Sequence, residues 1–316
     1  MTYAVVFPGQ GSQSVGMLAD LADAHNSVKV TFAEASDVMG QDLWALAQTG
    51  SAEALSDTRV TQPLMFTAGV AVWQVMRKAG FPMPSVIAGH SLGEYAAMVA
   101  TGVMTYSDGI KLVKRRSELM ATAVPEGEGG MAALIGMDDQ AVVDMCQSIS
   151  AERVVEAANF NAPGQVAISG HLDALQVTIE KARELGCRKA LMLAVSVPNH
   201  SSLMQGAGQE LAQNMDEMNW SEPRVPLLQN ATAEPAPDLK TLVERLKSHV
   251  YSPVYWTRTI KAIRDEYRVT MVLEAGPGKV LTGLNKRIDR RVLTLSVDSP
   301  KTLEAARLAT GIAAVS

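Results

Sequence analysis

The sequence predicts an α/β protein in which a larger domain with a short parallel sheet holds an inserted, smaller domain. Short apolar runs alternate with helical segments through the first part of the chain and again after residue 269, a pattern typical of a parallel sheet covered by helices on both faces. Between residues 130 and 195 the order changes to β-α-β-β-α-β, the ferredoxin-like pattern. We therefore expect residues 127–197 to form the small domain, and residues 1–126 and 198–316 to form the larger one.

The individual elements follow from apolar runs that are bounded by turn residues. In the larger domain, strands are predicted at residues 3–7, 85–88 and 269–274. In the small domain, strands are predicted at 131–135, 154–158, 165–169 and 189–195, helices at 138–149 and 172–185, and extended chain continues through 193–197. Because active sites of parallel sheets gather at the carboxyl ends of the strands, residues that follow these strands are the first candidates for a site.

The composition is that of a globular protein and excludes several function classes. Of the 316 residues, 47% are hydrophobic and 19% are charged, which is enough to bury a sizeable core. The net charge of -5 argues against nucleic acid as the main partner. No apolar stretch approaches the ~20 residues of a membrane span, and the first residues lack a basic leader, so we expect no membrane partner and a cytoplasmic location.

The two cysteines, Cys146 and Cys187, carry no sign of metal or redox chemistry. Each lies inside a predicted helix or at its end, and no short spacing joins them. We expect both to be reduced packing residues, and we expect no metal site.

The segment 89–93, Gly-His-Ser-Leu-Gly, is typical of a nucleophile elbow. The apolar run 86–88 precedes it and the helix-forming stretch 94–100 follows it, so a strand must turn into a helix within a few residues. The two flanking glycines avoid side-chain collisions in such a turn and leave the hydroxyl of Ser91 exposed at the helix N-terminus. Ser91 is therefore the candidate nucleophile for acyl groups, and the amide N–H of Leu92 is a candidate oxyanion donor.

A serine nucleophile needs a base, and histidine is the usual one because its pKa lies near neutrality. His200 lies where the chain leaves the small domain and re-enters the larger one, a junction at which a cleft is expected. We expect His200 to be the base, with His249 as the rival. The remaining histidines are expected on the surface or turned away from the serine: His25, His171 and His90.

Helical spacing places an arginine on a buried face. From Ser107, the predicted N-cap, a helix runs to residue 120, and Arg116 shares its apolar face with Leu112 and Leu119. An arginine directed inward keeps its charge and needs a carboxylate or phosphate partner. That partner is either an internal acid such as Glu94 or a carboxylate of the substrate, held by the guanidinium fork.

Two glycine-rich loops lack the sequence motifs of phosphate-binding loops. In the loop 9–16, Ser14 stands where the third glycine of G-x-G-x-x-G belongs. This loop is better suited to supply a second backbone donor for the oxyanion, from the amide N–H of Gln10. The segment 276–279, Gly-Pro-Gly-Lys, lacks the spacing of a P-loop and is predicted to be a tight turn.

Taken in order, these motifs resemble the malonyl-CoA:acyl carrier protein transacylases of bacterial fatty acid synthesis. They are FPGQGSQ at 7–13, GHSLGE at 89–94, the Arg116 helix, NFNAPGQ at 159–165, SVPNH at 196–200 and GPGK at 276–279. The resemblance runs nearly end to end and implies an α/β-hydrolase-like larger domain with a ferredoxin-like insert. The site residues that it implies are a Ser91–His200 dyad, oxyanion donors at the amides of Gln10 and Leu92, and Arg116 as the ligand of the malonyl carboxylate.

The activity implied by the resemblance is a ping-pong transfer. The malonyl group moves from malonyl-CoA to Ser91, coenzyme A leaves, and the phosphopantetheine thiol of acyl carrier protein then takes the group. The implied partners are these two substrates, with no metal or redox cofactor, and the enzyme is expected to be a monomer. The alternatives are a transferase of a polyketide pathway, a serine thioesterase or esterase, and a non-catalytic carrier-binding module. Arg116 argues against a hydrolase, which has no use for an inward arginine.

Two positions depart from the residues usual in the family. Where bacterial members commonly have glutamine, this chain has His249, whose backbone carbonyl is implied to orient the catalytic histidine. Asn199 replaces a serine or phenylalanine just before the base, at a position that influences tolerance for an α-methyl group. Because the carrier is acidic as a class, a basic surface is expected to receive it. The candidate clusters are Lys286, Arg287, Arg290 and Arg291, or Arg183, Arg188 and Lys189.

Overall fold

Short strands form two separate sheets in this computed structural model, which describes residues 2–150 and 153–313. In chain order the strands are β1 (Ala4–Phe7), β2 (Val86–Gly89), β3 (Gly129–Ile135), β4 (Val155–Ala162), β5 (Gln165–His171), β6 (Lys189–Met192), β7 (Leu227–Leu228), β8 (Met271–Ala275) and β9 (Leu293–Val297). Residues 1, 151–152 and 314–316, which the predicted domain ranges include, lie outside the described residues.

The helices that pack on these sheets vary widely in length. In chain order they are α1 (Ala19–Ala24), α2 (Ser27–Met39), α3 (Leu43–Thr49), α4 (Ala52–Ser56), α5 (Thr58–Lys78), α6 (Gly93–Thr101), α7 (Tyr106–Ala121), α8 (Asp139–Ile149), α9 (Leu172–Glu184), α10 (Gln205–Asp216), α11 (Leu239–Ser248), α12 (Trp256–Asp265), α13 (Val280–Ile288) and α14 (Pro300–Thr310). The long helix α5 is buried along most of its length and forms the centre of the largest apolar core.

The larger sheet is parallel, with the strand order β7-β2-β1-β8-β9. Every residue of its three central strands is buried, because helices cover both faces. Successive residues of β1 therefore enter two different cores: Val5 and Phe7 lie in one, and Ala4 and Val6 lie in the other. The prediction of a parallel sheet is confirmed.

The smaller sheet is antiparallel, with the strand order β4-β5-β3-β6. Along the chain its elements run β3-α8-β4-β5-α9-β6, and α8 and α9 supply apolar residues to a core of their own. An isolated bridge between Asn159 and Val254 joins β4 to the chain that precedes α12. This sheet and its two helices therefore form a unit that contacts the larger one directly at β4.

Two sequence predictions are wrong in detail. The last small-domain strand ends at Met192, so residues 193–197 are not a strand; only the Leu193 amide still bonds to the opposite strand, and the chain then departs toward the larger sheet. Helix α7 begins one residue before the predicted cap, with Thr105 as the N-cap, because the Thr105 hydroxyl accepts the amide N–H of Asp108. Ser107 lies inside the first turn.

Both cysteines are buried and free, as the sequence predicts. Among the described residues, no helix is both long enough and apolar enough to cross a membrane. Within the same part of the chain, no three His, Cys, Asp or Glu side chains are grouped in a way that could hold a metal ion.

Candidate active site

The elbow at Ser91 is built on glycines that no other residue could replace. A Cβ at Gly89 would lie 2.0 Å from the carbonyl group of Gly93, and a Cβ at Gly93 would lie 2.1 Å from the carbonyl oxygen of Phe7. The chain turns from β2 into α6 between these two close approaches, and Ser91 adopts a φ of 51°. This left-handed conformation is costly for serine and lifts its hydroxyl out of the sheet.

The hydroxyl of Ser91 lies against the imidazole of His200. Ser91 Oγ is 2.7 Å from His200 Nε2, although 109 residues separate the two in sequence. On the other side of the ring, Nδ1–H donates to the carbonyl oxygens of Ser252 at 2.9 Å and His249 at 3.2 Å. Because both carbonyls accept only, the proton resides on Nδ1 and leaves Nε2 free to accept the serine proton.

The buried position of His200 keeps its ring neutral. Burial lowers the pKa of His200 to about 3, and the positive charge of Arg116 adds to the effect. At neutral pH the imidazole is therefore an unprotonated base, in the form that can take a proton from Ser91.

An asparagine from another strand holds the elbow in place. The side chain of Asn230 accepts the amide N–H of Ser91 through Oδ1 and donates through Nδ2 to the carbonyl of Gly89, both at 2.6 Å. Its own amide N–H donates to Glu94 Oε2 at 2.7 Å. Asn230 comes directly after β7 and Gln229, at the carboxyl end of a strand next to β2, and that position was the available sequence signal.

Arg116 is completely buried on α7, on the same face as Leu112 and Leu119, as its spacing predicts. Its Nη1 donates to Gln62 Oε1, and its guanidinium carbon lies 5.1 Å from the centre of the Tyr95 ring. Within residues 2–150 and 153–313, its Nε and Nη2 have no hydrogen-bond partner. A buried cation with free N–H donors is therefore available to an anion.

Glu94 is not the hydrogen-bonded partner of Arg116. Its carboxyl accepts from the Asn230 amide and, at 3.5 Å, from Gln229 Nε2. Burial raises the pKa of Glu94 to about 7, and burial also lowers the pKa of the neighbouring His249 ring. The two side chains lie 3.8 Å apart, and because burial disfavours the charged form of each, the neutral acid and neutral imidazole are favoured over an ion pair.

The two expected oxyanion donors lie on loops that touch. β1 pairs with β2 so that Phe7 is opposite Gly89, which brings the loop after β1 beside the elbow. A Cβ at Gly9 would lie 2.6 Å from the carbonyl oxygen of His90. Neither the amide N–H of Gln10 nor that of Leu92 is used in any hydrogen bond between described residues, so both remain free to donate.

The other histidines lie outside the dyad. His90 Nε2 is 2.7 Å from Asn161 Oδ1 of the antiparallel sheet, which joins the elbow to that sheet. His171 Nδ1 accepts the amide N–H of Val154, and His25 lies half-buried at the end of α1. His249 is buried rather than placed as a rival base, and it contributes its carbonyl.

Several residues of the two basic clusters make hydrogen bonds or ion pairs within the protein. Arg287 donates to Gln165, Arg291 pairs with Asp289, and Arg183 donates to the carbonyl of Ala190. Sequence reasoning missed four residues that contact the elbow, the dyad or Arg116: Gln62, Asn161, Asn230 and Ser252. Of these, only Asn230 carried a signal in the sequence, its place after a strand.

Proteins of known name match this chain along nearly its whole length. A family model for the acyl transferase domain matches residues 4–290. The malonyl CoA-acyl carrier protein transacylase of Salmonella typhimurium is 45% identical over 304 residues, which cover 96% of this chain and 98% of the relative. The transacylase of the same name from Bacillus subtilis is 39% identical over 304 residues, which cover 96% of this chain and 95% of the relative.

Solved structures show the same fold. An acyl carrier protein S-malonyltransferase from Vibrio cholerae has a TM-score of 0.93 at 45% identity, covering 97% of this chain and 100% of its own. A malonyl-transacylase in complex with a type II polyketide synthase acyl carrier protein has a TM-score of 0.94 at 43% identity, covering 97% of this chain and 99% of its own. The chain therefore belongs to the acyl transferase family, among the malonyl CoA-acyl carrier protein transacylases.

Proposed function

We propose that this enzyme transfers a malonyl group from malonyl-CoA to the phosphopantetheine thiol of acyl carrier protein through a malonyl-Ser91 intermediate. The observation that carries the proposal is Arg116. It is buried, two of its guanidinium nitrogens have no partner among the described residues, and its charge acts on the base His200. An acyl group that brings its own carboxylate would satisfy these donors.

In the first half-reaction, His200 Nε2 takes the proton of Ser91 as Oγ attacks the thioester carbonyl. The developing oxyanion accepts hydrogen bonds from the amides of Gln10 and Leu92. When the tetrahedral intermediate collapses, the C–S bond breaks and His200 returns the proton to the departing thiolate of coenzyme A. The carbonyls of Ser252 and His249 stabilise the imidazolium while it exists.

In the second half-reaction, the carrier thiol replaces the coenzyme A thiol. His200 takes the thiol proton, sulfur attacks the malonyl ester carbonyl, and the proton passes to Ser91 Oγ as the ester bond breaks. The complex of a related malonyl-transacylase with an acyl carrier protein supports the choice of acceptor. Every step uses only these side chains and the two substrates.

The proposal includes the division of the chain. Residues 1–126 and 198–316 would form an α/β-hydrolase-like catalytic domain, and residues 127–197 a ferredoxin-like insert. The separate apolar core under the antiparallel sheet, and its order β4-β5-β3-β6, support this division. A cytoplasmic location and a monomeric state remain predictions from the sequence.

A polyketide pathway is a second candidate destination for the malonyl group. One related malonyl-transacylase was solved in complex with a type II polyketide synthase acyl carrier protein, and its identity to this chain, 43%, equals that of the transacylase from Xanthomonas oryzae. A thioesterase is less well supported, because two backbone carbonyls rather than a carboxylate orient the base and because Arg116 would have no ligand.

The test is intact-protein mass spectrometry after brief mixing with malonyl-CoA, acetyl-CoA or methylmalonyl-CoA. We expect a stable malonyl adduct, little acetyl adduct, and no adduct in Ser91→Ala. Adding holo acyl carrier protein should discharge the malonyl-enzyme onto the carrier. Release of free malonate faster than transfer would instead indicate a thioesterase, and the absence of any adduct would refute covalent catalysis.

The methylmalonyl arm of this experiment tests Asn199. This residue is buried next to His200 in sequence, and its Oδ1 has no hydrogen-bond partner among the described residues. The family resemblance makes its side chain a candidate contact of the acyl α-carbon. We expect Asn199→Ser to change the ratio of methylmalonyl to malonyl adduct, while the total adduct with malonyl-CoA stays within a few-fold of wild type.

A further inference from the structure

A single threonine hydroxyl contacts both ends of the proposed acyl pocket. Thr58 is the first residue of α5, after the N-cap Asp57, and its side chain is buried. Its Oγ1 accepts Gln62 Nε2 at 2.9 Å and Gln10 Nε2 at 3.2 Å. Gln62 in turn accepts a hydrogen bond from Arg116, and Gln10 lies on the loop after β1.

The contact with Gln62 supports the amide orientation that Arg116 requires. Arg116 has only donors, so it requires the amide oxygen and is repelled by the amide nitrogen. Thr58 Oγ1 accepts the Nε2 end, and the Oε1 end consequently receives Arg116 Nη1. Without an acceptor at residue 58, the completely buried Nε2 would keep only the weak acceptor Met120 Sδ, at 3.7 Å, and Gln62 would hold Arg116 less firmly.

The contact with Gln10 connects the loop after β1 to the same threonine. Gln10 belongs to the loop whose backbone amide is proposed to receive the oxyanion. Its side chain makes its hydrogen bond to Thr58, on an element that also carries Gln62. The position of this loop is therefore tied to the same helical turn that orients the arginine.

We propose that Thr58 is a positioning residue that holds the carboxylate-binding arm, Gln62 and Arg116, and the oxyanion-side residue Gln10 in one arrangement. The enzyme would thereby favour acyl groups whose carboxylate and carbonyl reach Arg116 and Gln10 together. This inference rests on the proposed function, since it assigns Thr58 a part in the recognition of the malonyl group.

The experiment compares Thr58→Val, Thr58→Ser and Thr61→Val with wild type. Valine keeps the shape of threonine but removes the acceptor, and serine keeps the hydroxyl. Thr61 is the matched control: it is a buried threonine in the same turn of α5, and its hydroxyl donates to the carbonyls of Leu55 and Asp57 rather than bonding to Gln62 or Gln10. Rates of adduct formation at Ser91 are measured separately with malonyl-CoA and acetyl-CoA.

We expect Thr58→Val to lower kcat/KM for malonyl-CoA by about 10- to 100-fold, the usual consequence of leaving buried donors without an acceptor. The loss with acetyl-CoA should be smaller, so the malonyl-to-acetyl ratio falls. Thr58→Ser should restore the ratio, and Thr61→Val should leave it unchanged even if its melting temperature falls. If Thr58→Val does not fold, Thr58→Ala serves as the smaller replacement.

Two outcomes would overturn the inference. One is an unchanged ratio in Thr58→Val, and the other is an equal loss with both substrates that serine does not restore. Both differ from failure of the proposed function itself, in which wild type would form no malonyl adduct at Ser91.

Discussion

At the scale of single residues, the site combines a neutral base with a buried cation. His200 is neutral because it is buried and because Arg116 lies nearby, and Arg116 is left with free donors because Glu94 bonds elsewhere. The two features are linked through charge. An arriving carboxylate would neutralise Arg116 and would make protonation of His200 easier as the serine proton is transferred.

Replacement of Arg116 should therefore lower the rate of adduct formation with malonyl-CoA more than the rate with acyl groups that lack a carboxylate. In Arg116→Ala, we expect the rate of adduct formation with malonyl-CoA to fall by about 100- to 1,000-fold, because a buried charge partner is lost. Arg116→Lys should recover only part of it, since the ammonium lacks the planar fork. Stopped-flow or quenched-flow mass spectrometry measures the rate of adduct formation in both variants.

Arg115→Ala is the matched control for Arg116. Arg115 lies on the same helix, points outward and pairs with Glu210. We expect its replacement to leave the malonyl rate within twofold. A malonyl rate in Arg116→Ala that equals the rate in Arg115→Ala would contradict the assignment of the carboxylate site.

At the scale of elements, the elbow depends on the close approach of α6 to β1. In Gly93→Ala the added Cβ would meet the carbonyl oxygen of Phe7 at 2.1 Å, and two backbone segments would have to separate. We expect a loss of more than about 3 kcal/mol in the free energy of unfolding, or no folded protein. Urea unfolding followed by circular dichroism measures this loss.

A glycine with open space around it provides the comparison. A Cβ at Gly206, in α10, would contact nothing within 4 Å. Gly206→Ala should raise the free energy of unfolding by about 0.5–1 kcal/mol, since alanine restricts the unfolded chain and fits a helix. Equal effects at Gly93 and Gly206 would mean that the elbow does not need its glycine.

The N-terminus of α7 provides a second test at this scale. The hydroxyl of Thr105 accepts the amide N–H of Asp108 at 3.1 Å and donates to the Asp108 carboxylate at 2.7 Å. Thr105→Ala should cost about 1 kcal/mol of stability through loss of the cap. Ser107→Ala should lower the stability little, because Ser107 lies inside the helix. Thermal unfolding of the two variants shows which of the two residues is the N-cap.

At the scale of the whole molecule, buried histidines should make stability depend on pH. Burial lowers the folded-state pKa of His90, His200 and His249 below 6.5, so the unfolded chain takes up protons at these residues before the folded protein does as the pH falls. Their stabilising contribution is present above pH 6.5 and is lost toward acid. Glu94 acts in the opposite sense, because its contribution is present below pH 4.5 and is lost as the pH rises toward 7.

Between pH 6.5 and 5 the three histidines should outweigh the raised carboxyls of Glu94, Glu274 and Asp139, and the free energy of unfolding should fall. His249→Gln removes one of the three while keeping the carbonyl that accepts from His200. Its slope against pH should be shallower than that of wild type by about 1 kcal/mol per pH unit, the effect of one proton. Urea unfolding at several pH values measures the slopes, and identical slopes would show that His249 takes up no proton on unfolding.

Local pattern was sufficient to predict much of the fold and the elbow that carries Ser91. The apolar runs at β1, β2 and β8 predict buried parallel strands because a strand covered on both faces has no polar side. The segment 89–93 predicts the elbow because its geometry is set within five residues. The strand over 193–197 was wrong because pairing, not residue preference, decides where a strand ends, and the chain there leaves its partner.

By itself the sequence determined Ser91 as the candidate nucleophile and the inward face of Arg116, since both follow from spacing within one turn or one helix. Only the tertiary structure decided what surrounds them. It placed Asn230 on the Ser91 amide, Ser252 on His200, and Gln62 between Arg116 and Thr58. The reason is that a hydrogen bond needs two groups at bonding distance with a defined donor and acceptor, and the folding of the whole chain brings these distant residues together.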